Sequence, residues 1–405
     1  MLADKNACTG CNVCQNVCGK NCIAMKYDEE GFWHPVIDSN LCVHCGLCEK
    51  VCPVLHKNEE DNFKNPETYA VQDKTAANLQ ISSSGGIFGV IAEYIIGQGG
   101  IVYGAVYGKH SKVVYGRADN TEILKKIRGT KYVQADVKMA FKEAGHDLKS
   151  GKMVLFSGTP CIIAALYNYV RTLQIDESKL FTVDLICHGV PSPLFFDRFI
   201  AELEKENEKE ILEFIFRPKN LEWGQVSACG RPSIKFLDKT QSSISKNDKE
   251  YYYYYGFLKN LFLRRSCHQC QFVGLPRVAD FTIGDFWGIE QDNELPFEKK
   301  MGVSCLMLNN EKAKTIFNNI LSFVFYKEEK IELVKKYNTN MILSVRDDSL
   351  RKRFYKYYNA HTWEESKKFI LKIKRQQELK NRIKDFGYEI LGVRGRMVVK
   401  KIIRR

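Results

Sequence analysis

Two evenly spaced runs of cysteine near the start constrain this chain more than any other feature. Residues 8–18 read Cys8-Thr-Gly-Cys11-Asn-Val-Cys14-Gln-Asn-Val-Cys18, and residues 42–53 read Cys42-Val-His-Cys45-Gly-Leu-Cys48-Glu-Lys-Val-Cys52-Pro53. Each run is C-x2-C-x2-C-x3-C, the spacing that holds four-iron clusters in pairs. Three closely spaced thiolates wrap one cube on a tight loop, and the fourth opens onto a segment leading to the other cube. On that logic Cys8, Cys11, Cys14 and Cys52 hold one [4Fe–4S] cluster, and Cys42, Cys45, Cys48 and Cys18 hold a second. A disulfide framework would suit a small secreted domain. Zinc ribbons use two cysteine pairs and lack the third cysteine of each run.

Residues 1–55 therefore read as a bacterial-type two-cluster ferredoxin domain. Gly19 stands where the second run has Pro53, which loosens the turn after Cys18 without removing a ligand. Cys22 reads as a buried packing thiol beside the cluster rather than a ninth ligand. With 405 residues and fifteen cysteines, the chain has room for two or three domains and implies a reducing, cytoplasmic setting. The first residues run straight into cysteine ligands, so no targeting segment is expected in front of them.

Residues 56–68 are polar, contain Pro66 and read as a linker. Beyond them, short apolar runs alternate with helical patterns. Strands are predicted over 101–107, 112–118, 153–157, 181–187, 212–217, 279–284 and 303–308. Helices are predicted over 86–96, 135–148, 160–170, 193–206 and 311–323. This alternation predicts a mixed α/β body over residues 69–325. The weakly charged stretch 85–107 is long enough to span a membrane, but its glycines and the Gln98-Gly99-Gly100 break read as a helix followed by a strand. No transmembrane segment is expected. The polar stretch 237–249 reads as a surface loop. The tyrosine run 251–255 reads as the packed end of a helix toward Leu263.

The net charge of +13 is concentrated at the C-terminus. Residues 351–405 carry 18 Lys and Arg against 5 Asp and Glu, so the preceding residues are neutral as a whole. Residues 326–405 are expected to form a basic, mostly helical tail. That tail is a solvated appendage or a contact for anionic lipid or an acidic partner. No nucleic-acid recognition motif accompanies the charge, and no nucleic acid is expected.

Seven cysteines remain outside the two runs: Cys22, Cys161, Cys187, Cys229, Cys267, Cys270 and Cys305. Cys161 ends Ser157-Gly-Thr-Pro-Cys, where a strand gives way to a helix at Pro160. Cys187 ends an apolar strand, at the rim where α/β sheets bind ligands. Cys267 and Cys270 form a C-x2-C pair. Four thiolates suit a third [4Fe–4S] cluster or an all-thiolate zinc site. A redox disulfide from the C-x2-C pair, or inert thiols, are the alternatives. A chain already handling electrons favours the cluster. Cys305 reads as core, and Cys229 has no evident partner.

Two further stretches suit an anionic cofactor. Ser82-Ser-Ser84-Gly85-Gly86 precedes a helix, where hydroxyls and bare amides fit a phosphate. Arg128-Gly-Thr-Lys131-Tyr132 adds two cations and an aromatic. A helix cap and an exposed basic turn are the bland alternatives. Together, in a redox protein, they point to a flavin.

In these motifs the chain resembles the beta subunit of coenzyme F-420-reducing hydrogenases and dehydrogenases, in the version with an N-terminal two-cluster ferredoxin. The matching residues are 82–86, 128–133, 157–161, 184–193, 263–270 and 279–288, in the family's order. The resemblance implies an FAD-binding α/β domain passing electrons between clusters and a two-electron carrier. It implies that Ser84, Gly85, Gly86, Arg128, Lys131 and Tyr132 line the flavin, with Lys131 and Arg128 favouring its reduced, anionic form. It also implies that Cys161, Cys187, Cys267 and Cys270 hold a cluster nearby. The expected function is an iron–sulfur flavoprotein oxidoreductase working with a redox partner protein or soluble carrier. The alternative is a non-catalytic relay subunit docked on a partner enzyme. Neither reading names the donor, the acceptor or the catalytic residue.

Overall fold

The computed structural model describes residues 2–57, 61–219, 231–292, 294–345 and 349–403. A short hairpin of β1 (Ile23–Tyr27) and β2 (Trp33–Ile37) lies between the two cysteine runs. The body carries β3 (Glu67–Asp73), β4 (Ile101–Tyr107), β5 (Val113–Ala118), β6 (Val154–Gly158), β7 (Leu180–Leu185), β8 (Ile211–Ile215), β9 (Ser233–Phe236), β10 (Gln241–Ser243), β11 (Phe281–Asp285), β12 (Ser304–Leu308) and β13 (Val324–Glu329). Eight of these form one mixed sheet in the order β13-β3-β12-β11-β7-β6-β4-β5. Its centre is parallel, with β4, β6, β7 and β11 side by side. β8, β9 and β10 form a separate antiparallel sheet.

The strands are apolar toward both sides because both faces are covered. Ile101, Tyr103, Val154 and Phe156 face helices Ala140–Lys149 and Pro160–Thr172. Val102 and Leu155, one residue out of phase, face helices Ile87–Gly97 and Glu311–Ile320 on the other side. Helix starts follow local chemistry: Pro160 and Pro193 open their helices, and Ser192 caps the second through the Phe195 amide. Val13, Val17 and Val51 of the cysteine-rich segment join the same apolar cluster as Phe141 and Phe156. The ferredoxin segment is thus part of one compact unit with the sheet.

Three expected boundaries shift. Residues 56–68 are not a free linker. Asn62 donates to the carbonyls of Arg277, Val278 and Ala279, the Phe63 amide donates to the Asn309 carbonyl, and β3 already begins at Glu67. The expected body–tail boundary at 325/326 cuts through β13, an edge strand whose Lys327, Glu328 and Glu329 blunt it against pairing. Within 237–249, Gln241–Ser243 pairs with β9 rather than staying a loop.

The second compact unit joins residues 246–262 to residues 348–405. In it, the tyrosine run forms the buried helix Tyr252–Leu258. Tyr252 meets Trp363 edge-on at 6.1 Å, and Phe262 lies 6.0 Å from Phe354. Helices Ser349–Tyr358 and Trp363–Ile403 make up the rest. Among the described residues, no helix is long and apolar enough to cross a membrane.

Candidate functional site

The two cysteine runs repeat in backbone conformation as well as in spacing. Gly10 and His44, each two residues after the first cysteine, are left-handed, with φ of 65° and 54°. Asn12 and Gly46, each just after the second cysteine, are left-handed too. The alternation curls each loop so that successive amides turn toward its inside, a nest suited to an anionic group. Gly10 donates to Cys8 Sγ at 3.4 Å.

The thiols of the first set lie close enough to act on one another. Burial, then the charge of neighbouring Cys8 and Cys52, pushes Cys11 up to about 12. Cys14 is raised by burial and by Cys11, Cys8 and Cys52. Cys52, from the second run, therefore sits with the first loop. In the second group, Cys18 Sγ lies 3.4 Å from Cys22 Sγ, and Cys22 also meets Cys42. Cys22 is buried, and it touches two of the expected ligands.

Cys161, Cys187, Cys267 and Cys270 line one cavity. Cys161 opens the helix after β6, Cys187 follows β7, and Cys267 lies within the turn Arg265–Gln269 with Cys270 directly after it. The cavity thus lies beyond the carboxyl ends of two neighbouring parallel strands. Burial pushes Cys187 up to about 12 and raises Cys161 further, with the other thiols of the set adding to it. Gly189 (φ 124°) permits the approach, since a Cβ there would stand 3.3 Å from Cys267 Cβ. A buried polar network fixes the floor: Arg277 pairs with Asp184 at 3.0 Å, and Asp280 accepts from the Thr182 amide and hydroxyl. Thr159 Oγ1 lies 3.2 Å from Cys161 Sγ. Among the described residues, no group of three or more His, Cys, Asp or Glu side chains is arranged to hold a single metal ion. The same cavity is lined by Asn6, Ala7, Thr9 and Val54, beside Cys8 and Cys52.

The turn 82–86 and the stretch 128–132 meet. Ser83 Oγ accepts from the Thr130 amide at 2.7 Å, and Arg128 donates to Ser82 Oγ at 3.1 Å. Arg128 departs from expectation. It is buried and ion-paired with Glu93 at 2.8 Å, so it holds the turn from beneath instead of offering charge to a ligand. Gly85 and Gly86 are required by packing, since a Cβ at Gly85 would lie 2.3 Å from the Val71 carbonyl and one at Gly86 2.9 Å from Asp73 Cβ. Tyr132 stacks edge-on against Phe216.

Lys131 and Lys219 have no carboxylate within ion-pair distance among the described residues. Lys131 donates to the carbonyls of residues 126–129 and lies over Tyr107. Lys219 donates to the carbonyls of Ser84 and Met301. Burial brings both down to about 8 from an ordinary 10.5. Sequence reading missed Lys219; the signal was Arg217-Pro-Lys219 directly after a strand. It also missed Arg264, which stands three residues before Cys267 and is almost wholly buried.

Residues 151–333 match the family model for the C terminus of the coenzyme F420 hydrogenase/dehydrogenase beta subunit. Residues 7–55 match the 4Fe-4S dicluster domain. The chain thus combines the C-terminal domain of this beta-subunit family with a 4Fe-4S dicluster domain. Its matched segment holds Lys219, Arg264 and all four cysteines of the cavity, whereas 82–86 and 128–132 precede it. The dicluster domain marks the chain as an iron–sulfur, electron-transfer protein. A solved F420-reducing [NiFe] hydrogenase complex from Methanosarcina barkeri contains a chain similar at 16% identity, over 82% of this chain and 97% of that one, with a TM-score of 0.45. That likeness is too slight to bear on function. No curated relative matches the chain.

Proposed function

We propose that this beta-subunit relative is an iron–sulfur flavoprotein that passes electrons from its ferredoxin loops, through the four-cysteine cavity, to FAD. The observation that carries the reading is the shared cavity, which sets Cys161, Cys187, Cys267 and Cys270 against Thr9 and Val54 of the ferredoxin segment. Four convergent, part-buried thiols suit a four-iron cluster chemically, and two part-buried lysines without a carboxylate partner among the described residues suit a diphosphate. Bound there, clusters would supply one-electron transfer and FAD would couple it to hydride exchange. In this reading Cys8, Cys11, Cys14 and Cys52 serve one cluster, Cys18, Cys42, Cys45 and Cys48 the next, and the cavity cysteines a third. Lys131 and Lys219, with Ser84 and Tyr132, hold the flavin, while Arg128 steadies the turn. Arg277 and Asp184 keep the Cys187 loop in place.

Anaerobic reconstitution followed by iron and sulfide analysis tests the clusters. About twelve irons per chain are expected, and about eight would remove the third. An isothermal titration with FAD tests the flavin, and absence of binding rejects it. Turnover of soluble acceptors by the purified chain separates an enzyme from a docked relay.

A further inference from the structure

We propose that Arg264 is a positioning residue that ties the first ferredoxin loop to the four-cysteine cavity and raises the reduction potential of a cluster held at Cys8. This rests on the reading that both cysteine sets hold clusters.

Arg264 is only 2% exposed. Its guanidinium donates to the Cys8 carbonyl at 2.7 Å, the Trp33 carbonyl at 2.9 Å and Gln134 Oε1 at 3.1 Å, and it lies over the Phe32 ring. A Cβ on Gly10 would stand 2.7 Å from Arg264 Nη1, so the guanidinium fills the space against that loop. Its main chain faces the other way. The Arg264 amide donates to the Val190 carbonyl, three residues past Cys187, and its carbonyl accepts from the Cys267 amide at 3.1 Å. One residue therefore fastens the loops of Cys8, Cys187 and Cys267. It also lines the cavity.

No carboxylate lies within ion-pair distance of Arg264 among the described residues. A buried cation without an anionic partner is costly to desolvate, unless a counter-charge completes the site. A thiolate-ligated iron–sulfur cluster is anionic, and it gains a further negative charge on reduction. A fixed cation beside it favours the reduced state, since nearby charge and hydrogen bonding set cluster potentials. When one electron leaves one four-iron centre and enters the next, no bond forms or breaks and the guanidinium keeps its proton.

The test uses the full chain, reconstituted anaerobically, with potentials read by EPR-monitored titration and inter-cluster transfer by rapid-mixing reduction. Arg264→Gln should retain iron, shift the midpoint of the Cys8 cluster to more negative potential and slow electron entry into it from the second cluster about tenfold. Arg264→Lys keeps the charge, so its midpoint should return close to the wild-type value. An Arg264→Gln protein with full iron and an unshifted midpoint overturns the proposal. If Arg264→Gln loses iron, Arg264→Lys carries the test. A folded Arg264→Lys chain that also loses iron makes the residue merely structural and overturns it too. Should the wild type hold about eight irons, the third-cluster reading fails alone. The midpoint shift at Cys8 would still decide the role of Arg264 there.

Discussion

The two cysteine loops share spacing and backbone conformation but not surroundings. The first is locked to the body: Asn12 donates to Asp136, Asn16 to the Lys138 carbonyl, and Gln134 to the carbonyls of Thr9 and Gly10. Cys11 and Cys14 are buried. The second faces outward. Cys45 is exposed, Leu41 and Val43 are 55% and 59% exposed, and helix Leu47–Lys50 buries none of its residues. Ligand spacing therefore specifies one loop form, whereas the surrounding packing decides which loop is buried and which is open to solvent. The first loop faces the cavity cysteines. The second is the half open to solvent.

The largest contrast is expected at the ligands. Cys11→Ala removes a thiol and leaves a hole in the apolar cluster, so it should lose about four irons and melt markedly lower. Cys45→Ala should lose as many irons with little change in melting temperature. Iron analysis and calorimetry decide this, and equal destabilisation by the two variants would break the comparison.

Glycine substitutions sharpen it. A Cβ at Gly10 meets Gln134 Nε2 at 2.6 Å and Arg264 at 2.7 Å, while one at Gly46 meets nothing within 4 Å. Gly46→Ala should cost about 1 kcal/mol in left-handed strain alone. Gly10→Ala should cost about 2–4 kcal/mol, by adding overpacking to that strain. Denaturant titration measures both.

Lys219→Ala lies away from both loops and should spare their iron while weakening FAD binding about tenfold, by loss of one charged contact. The wild-type affinity should itself fall above pH 8 as Lys219 and Lys131 lose their protons. Without ligand the sign reverses. Burial penalises the charged lysine in the fold, so stability should rise as pH climbs from about 8 toward 10.5. Calorimetric titrations at about pH 7 and pH 9 check the affinity, and thermal melts across that window check the stability.

The smallest stability effect belongs to Val43→Asp. An exposed substitution should stay within about 0.5 kcal/mol, yet slow reduction of the chain by external protein carriers. Stopped-flow reduction reads this. An unchanged rate would move the entry point elsewhere.

Much of the frame was legible because period and punctuation agreed. Ile101–Tyr107 and the Pro160 and Pro193 helix starts follow from runs of apolar residues and a fixed proline φ. The strand Glu67–Asp73 escaped because its ends are acidic and it follows a polar stretch, although its interior is buried between β12 and β13. Val324–Glu329 escaped because an edge strand needs charge, and charge reads as tail. In the site, cysteines announce themselves by spacing. Arg264, Gln134 and Lys219 do not, since the partners that fix them lie 82 to 256 residues away. Arg128 and Gly85 stood out in the sequence as ligand-facing groups. What they satisfy in the fold is the underside of a turn.

The tether between the ferredoxin segment and the body has a kinetic consequence. Asn62 reaches three successive carbonyls and Phe63 one more, so the stretch leading into β3 is pinned along the body. A domain on a loose leash would deliver charge by swinging, at a rate governed by solvent drag and leash length. Here the conductor is soldered in place, and internal transfer should proceed at the same pace in glycerol as in water.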